Sequence, residues 1–186
     1  MQSVVSITQM KLEMRLRILA DLKKIGSDEA RKKSALVQTN LSKRLANESG
    51  LWAGFQSMSS EPSISWPEVS ENIEWCFPVL SETKLKFKKS VQSFQKTDLG
   101  FNEPIDGENV ELNQLQGVVV PGLAFDLQGH RLGRGRGFYD QTLSGFKGSV
   151  VGICYQSSLV ESVPVEDHDL KCHYIITEEK SVAVSC

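Results

Sequence analysis

Two runs constrain this chain more than any others: GVVVP at residues 117–121 and SVVGIC at residues 149–154. Both are continuously apolar and rich in β-branched residues, and both are too short for a stable helix. They lack the alternation of a strand with one wet face, so they read as interior strands covered on both sides. Such strands belong to a largely parallel sheet held between other layers. Further short runs, LWAGF, IEWCFPV, KLKFK and HYIIT, are each bounded by Gly, Pro or polar turns and read as additional strands. Between Lys84 and Gln116 the sequence is polar and irregular, which predicts an excursion with weak strands.

Helices come first along the chain. Ile7, Met10, Met14, Ile18, Leu22 and Ile25 recur at three- and four-residue spacing, the stripe of an amphipathic helix, with Thr8 as its expected cap and Gly26 as its expected end. Ser27, Asp28 and Glu29 start a second helix whose packing stripe is Ser34, Val37, Leu41 and Leu45. The pattern predicts two antiparallel helices followed by an α/β alternation, a three-layer α/β/α sandwich with a mostly parallel sheet. A length of 186 residues suits one domain spanning 1–186.

Charge and hydropathy narrow the function classes. A formal net charge of -2 provides no global field to draw the protein onto nucleic acid, so any anion site must be local. The longest apolar stretches, Val118 to Val120 and Val150 to Cys154, fall far short of a bilayer span, and MQSVVSITQMK lacks a basic region followed by an apolar one. A cytoplasmic monomer without membrane contact is expected. Cys76, Cys154, Cys172 and Cys186 show no C-x-x-C spacing, and His168, Cys172 and His173 lack a second close ligand pair. No structural zinc is expected, only reduced and mostly buried thiols with Cys186 exposed at the terminus.

The segment with the most chemistry is PGLAFDLQGHRLGRGRGFYD, Pro121 to Asp140. It begins where an interior strand must stop, because Pro121 cannot donate a ladder hydrogen bond. Ligands of open α/β sheets sit beyond the carboxyl ends of strands, where this loop falls. Gly122, Gly129, Gly133, Gly135 and Gly137 let backbone approach a ligand, while Arg131, Arg134 and Arg136 supply forks for phosphate oxygens. Crowding three arginines into RLGRGR costs repulsion that an anion would relieve. A helix expected to start near Gly137 would point its positive end at the same place. No Lys-Ser or Lys-Thr follows the glycines and GRGRG is not G-x-G-x-x-G, so residue chemistry alone reaches a phosphate site and goes no further.

Those twenty consecutive positions resemble the signature of the 5-formyltetrahydrofolate cyclo-ligase family. Looser resemblance covers most of the chain, through Lys11 and Arg15, FQSMSSEPSI around Glu61, the NEP at Asn102 to Pro104, and PVEDHDL near Asp169. The resemblance implies a fold of the ribose-phosphate isomerase and CoA-transferase group and an enzyme that uses ATP and Mg2+ to cyclise 5-formyltetrahydrofolate. It implies that Lys11, Arg15, Arg131 and the loop Gly133, Arg134, Gly135, Arg136, Gly137, Phe138 and Tyr139 bind ATP. Phe55, Glu61, Phe138 and Tyr139 would meet the folate, and Asp140 and Asp169 would hold magnesium. By residue type alone, Lys11 and Arg15 read as a solvated basic face, Glu61 as a solvated loop residue and Asp169 as a turn residue.

The chain departs from the family at Gln141, where many members have Arg, at Phe138, which replaces a Tyr, and at Ser158, where Gln is frequent. The rival from another class is a non-catalytic RNA-binding protein that uses GRGRG and its neighbouring aromatic to track a nucleic-acid backbone. The acidic net charge and the lack of a second basic stripe oppose it.

Overall fold

A computed structural model describes residues 6–184; Cys186, expected to be exposed, lies outside the described residues. The elements run α1 (Ile7–Leu22), α2 (Ser27–Leu45), β1 (Gly50–Ala53), β2 (Ile73–Ser81), β3 (Lys84–Lys89), β4 (Phe94–Lys96), β5 (Asn102–Pro104), β6 (Glu108–Val110) and β7 (Gly117–Pro121). They continue with β8 (Ala124–Phe125), β9 (Arg131–Leu132), α3 (Phe138–Thr142), β10 (Ser149–Ile153), β11 (Tyr174–Ile176) and β12 (Ser181–Ala183). One eight-stranded sheet has the order β12-β11-β10-β7-β1-β2-β3-β6. Its middle, from β11 through β2, is parallel, and antiparallel strands close both edges. The excursion between Lys84 and Gln116 holds β3, the separate β4–β5 hairpin and the short edge strand β6.

The continuous apolar runs form the interior strands because both of their faces are covered. Val118 and Val120 of β7 enter one cluster, with Val150, Cys154, Ile175, Phe125 and Leu143. Val119 between them enters the opposite cluster, with Val151, Ile153 and Ile176, against Val37, Leu41 and Leu45 of α2. Helix α2 therefore covers one face of the sheet, and the β8–β9 hairpin with α3 helps cover the other. Its ends agree with its dipole, with Asp28 and Glu29 in the first turn and Lys43 and Arg44 in the last. All four residues of its expected stripe, Ser34, Val37, Leu41 and Leu45, are buried.

Helix α1 corrects the sequence reading at both ends. Its cap is Ser6, whose side chain accepts the Gln9 N–H, and not Thr8. The apolar stripe already begins at Ile7, so the capping position falls just before it. Its last turn tightens through Lys24 N–H to Asp21 and Ile25 N–H to Leu22 carbonyls. No left-handed glycine is needed there, and Gly26 is instead the extended cap of α2. The two helices also serve different clusters: Ile18 and Leu22 of α1 pack with Leu123, Leu132, Tyr155 and Val163. The Tyr155 hydroxyl, 3.1 Å from Ser34 Oγ, links that cluster to α2.

Candidate active site at the carboxyl ends of β1 and β7

Strands β1 and β7 are adjacent and parallel, so Phe55 and Gln56 after β1 emerge beside Pro121 and Gly122 of the β7 end. Together with the glycine and arginine loop they border a cleft of about 260 Å³. Its apolar wall includes Pro78, Leu85, Leu99, Phe101 and Phe138; its polar wall includes Glu61, Arg131, Arg134 and Arg136. Phe55 is buried with its ring edge-on to Trp66 at 5.5 Å, which fixes the floor of the cleft. The wall containing Leu99 and Phe101 comes from the loop between β4 and β5, in a stretch that reads only as polar and irregular.

Glu61, legible from the residues only as a loop glutamate, is buried, with its side chain 5% exposed. The Pro62 that follows keeps it out of helical conformation, and its backbone N–H donates to the Met58 carbonyl. One carboxylate oxygen, Oε2, accepts the Met58 N–H at 2.9 Å. The other, Oε1, accepts Nε and Nη2 of Arg134 at 3.2 and 3.1 Å, and Arg134 Nη2 also donates to Ser60 Oγ. A residue expected at the phosphate end thus touches one expected at the folate end.

The three loop arginines have different situations. Arg131, 4% exposed in its side chain, donates to the Pro121 carbonyl at 3.1 Å and pairs with Asp140 at 2.9 Å. Its guanidinium also lies 5.4 Å from the centre of the Tyr139 ring. Arg131 therefore holds the loop together, and Arg134 and Arg136 are the more exposed cations. Arg134 turns toward Glu61, so the loop does not present three outward arginines to a nucleic-acid backbone.

Gly135 and Gly137 have φ of +98° and +68°, which side-chain-bearing residues rarely adopt. Gly135 lies against the Arg15 guanidinium: a Cβ there would meet Arg15 Cζ at 3.5 Å. Two other glycines are required by packing in any case. A Cβ on Gly122 would lie 2.7 Å from the Phe125 ring, and one on Gly129 would collide with the Cys172 carbonyl. Helix α3 does start after Gly137, but its five residues make little more than one turn. The expected dipole contribution is correspondingly small, because the macrodipole is a sum over aligned peptides.

Behind the loop, α1 supplies Lys11 and Arg15 one turn apart. Arg15 Nε donates to the Gly133 carbonyl at 2.9 Å, tying helix to loop. Lys11 is not part of a solvated face: it is buried, and its ammonium lies 2.6 Å from Asp169 and 2.8 Å from Glu166. Burial works to lower its pKa, but the two carboxylates outweigh burial and hold it above the ordinary lysine value. Glu166, missed in the sequence, carries one signal only: it lies three residues from Asp169, and its N–H donates to that carboxylate at 2.7 Å.

Asp140 and Asp169 approach through the backbone, since the Leu170 N–H donates to Asp140 at 3.1 Å. Burial would raise the Asp140 pKa, yet Arg131 and this N–H hold it below the usual carboxylate range. Asp169 shares a group of possible metal ligands with Glu166 and His168, their ligand atoms within 4.8 Å of one another, and Asp140 is not in that group. Of that set, Glu166 and Asp169 offer the oxygen donors a hard cation takes, and both already pair with the Lys11 ammonium.

Thr142, also unforeseen, is buried, and its Oγ1 accepts the Leu85 N–H at 2.8 Å, pinning α3 to β3. Burial pushes the Tyr139 phenol well above its ordinary pKa and the Cys76 and Cys172 thiols up to about 12. All three described cysteines are buried free thiols, as expected. Of the departures, Phe138 lines the cleft, whereas Gln141 is exposed on α3 and Ser158 is buried in a short 3-10 turn.

Comparison with known proteins places the chain among similar sequences and folds. A 5-formyltetrahydrofolate cyclo-ligase of Haemophilus influenzae is 30% identical over 173 residues, 87% of this chain and 92% of that protein. The Escherichia coli cyclo-ligase is 40% identical over 72 residues; that match spans 37% of this chain and 40% of the length of that relative. The solved structure of an Aquifex aeolicus 5,10-methenyltetrahydrofolate synthetase superposes with a TM-score of 0.81 at 26% identity, covering 95% of this chain and 94% of that one. The sequence model of the 5-formyltetrahydrofolate cyclo-ligase family matches residues 7–178, and the chain belongs to that family.

Proposed function

We propose that this protein cyclises 5-formyltetrahydrofolate to 5,10-methenyltetrahydrofolate, consuming ATP and releasing ADP and phosphate. The observation that carries the reading is the meeting of the glycine and arginine loop with the buried Glu61 in one cleft whose other wall is apolar. Such a cleft suits a flat, partly polar ring system beside a polyphosphate.

The N5 formyl group is an amide, and its oxygen is a poor leaving group. Attack of that oxygen on the γ-phosphorus expels ADP and activates the carbon. N10 then closes onto the carbon, loses its proton, and phosphate departs to leave the methenyl bridge. The protein's contribution is position and charge. Arg134 and Arg136 face the cleft to neutralise phosphate oxygens, while behind the loop Arg15 holds the Gly133 carbonyl and Lys11 holds Asp169 and Glu166. Arg131 orients Asp140 and Tyr139, and Glu61 orients the folate through its ring N–H donors. The walls of Leu85, Leu99, Phe101 and Phe138 exclude water from the reacting carbon.

Asp169, with Asp140 nearby and Glu166 beside it, would hold Mg2+. When bound, the ion supplies neutralisation of phosphate charge. No helix among the described residues is long and apolar enough to cross a membrane. The test is the absorbance of the methenyl product formed from 5-formyltetrahydrofolate. Turnover should require both ATP and a divalent cation. An undiminished rate without nucleotide, or with a non-hydrolysable analogue, would sink this reading.

A further inference from the structure

The contact between Glu61 and Arg134 sets up a conflict of duties. Glu61 is nearly inaccessible, and its carboxylate is already served: two N–H groups of Arg134 point at Oε1 and the Met58 N–H at Oε2. A reduced pterin offers ring N–H and amino donors, and it can take Oε1 only if Arg134 withdraws. Arg134 in turn cannot fork around a phosphate while it is spread over Glu61 and Ser60.

The loop is built for such a withdrawal. Arg134 stands between Gly133 and Gly135, the latter already at positive φ, and its side chain is 33% exposed, so it can turn without disturbing a packed core. Glu61 has no such freedom. Once Arg134 leaves, a buried carboxylate stands without a cation, and new donors become strongly favourable.

We propose that Arg134 is a positioning residue that couples the two substrates. In the nucleotide-free enzyme it latches Glu61. A triphosphate draws it off and opens the carboxylate to the folate, so each substrate raises the affinity for the other by the same factor. This rests on the cyclo-ligase reading given above. It adds what that reading does not contain, a thermodynamic link between the nucleotide and folate ends of the cleft.

The test is a pair of calorimetric titrations of the full chain with 5-formyltetrahydrofolate, with and without a saturating non-hydrolysable ATP analogue and magnesium. The parent should bind folate about tenfold more tightly with the analogue, within the usual range for coupled sites. The reverse titration should return the same factor. In Arg134→Gln, folate should bind without nucleotide at least as tightly as to the parent, and the analogue should add less than about twofold on the same scale. Arg134→Lys keeps the charge without the fork and should restore part of the coupling. Ser60→Ala, which leaves the ion pair intact, should reduce the parent's factor without abolishing it. A parent that binds both ligands without coupling, or an Arg134→Gln variant that couples normally, overturns the latch and leaves the cyclo-ligase reading standing. A parent that binds neither ligand overturns both.

Discussion

The two walls of the cleft are built on opposite principles. The glycine and arginine wall is cross-tied by charge: Arg131 to Asp140, Arg134 to Glu61 and, behind it, Lys11 to Asp169 and Glu166. Part of the facing wall, Leu99 and Phe101, is carried by the loop of the β4–β5 hairpin outside the main sheet, with Phe94 and Leu99 exposed and one aromatic contact, Phe94 to Phe77 at 5.3 Å. The first wall is tied by several charge pairs; the hairpin of the second is joined to β2 by that aromatic contact and by the Leu80 N–H, which donates to the Glu103 carboxylate at 3.2 Å. Charge held by a buried tie such as Arg131 to Asp140 suits phosphoryl transfer, whereas an apolar wall with an exposed hairpin loop suits admission and release of a flat ring.

The comparison breaks most visibly at Asp140. Asp140→Asn removes the anion from a guanidinium that is 4% exposed, and stranding one partner of a buried pair costs about 3 kcal/mol or more. By residue type alone this change would test only metal binding with little loss of fold; the Arg131 pair adds a stability cost, measurable by urea unfolding. The pH dependence carries the same information. Asp140 has a depressed pKa, so its contribution to stability is fully present above the unfolded value of about 3.9 and is lost as pH falls through the lower folded value. The variant's stability should therefore change less than the parent's on acidification below about pH 4. Equal unfolding midpoints for parent and variant at neutral pH would show that the wall is not held by this pair.

Thr142 is the next largest lever, because it joins the two walls' supports. Thr142→Val leaves the Leu85 N–H buried without an acceptor, at about 1–3 kcal/mol, and lets α3 shift relative to β3. Stability and kcat/KM should fall together, and Thr142→Ser should recover both. A valine variant with the parent's kinetics would mean that Leu85 and Phe138 keep their places without the hydroxyl.

The smallest effect belongs to the hairpin. Leu99 is 39% exposed, so Leu99→Ala should change stability by less than about 0.5 kcal/mol. Its loss should appear instead in KM for the folate, raised roughly three- to tenfold with kcat nearly kept. A loss of stability comparable to that of Asp140→Asn would erase the distinction between the walls.

The sequence by itself determined the interior of this protein. Continuous apolar runs such as GVVVP have no stable place except a strand covered on both faces, and the stripe of α2 has no partner except such a sheet. It also marked the loop, since glycines and arginines at that density answer to a backbone and charge requirement. Cap and end positions of α1 were misread because Thr8 and Gly26 have the right chemistry one step away from where the stripe begins and the last turn closes. What only the tertiary structure decided is who meets whom. Lys11 and Glu166 are 155 positions apart, and Glu61 and Arg134 are 73 apart. Whether a lysine is solvated or buried between carboxylates depends on which strands lie side by side, and pairing order is not written in any local pattern. Charge pairs form between residues that the sheet order brings together, so the ties that hold the site, and the latch they create, are properties of the fold.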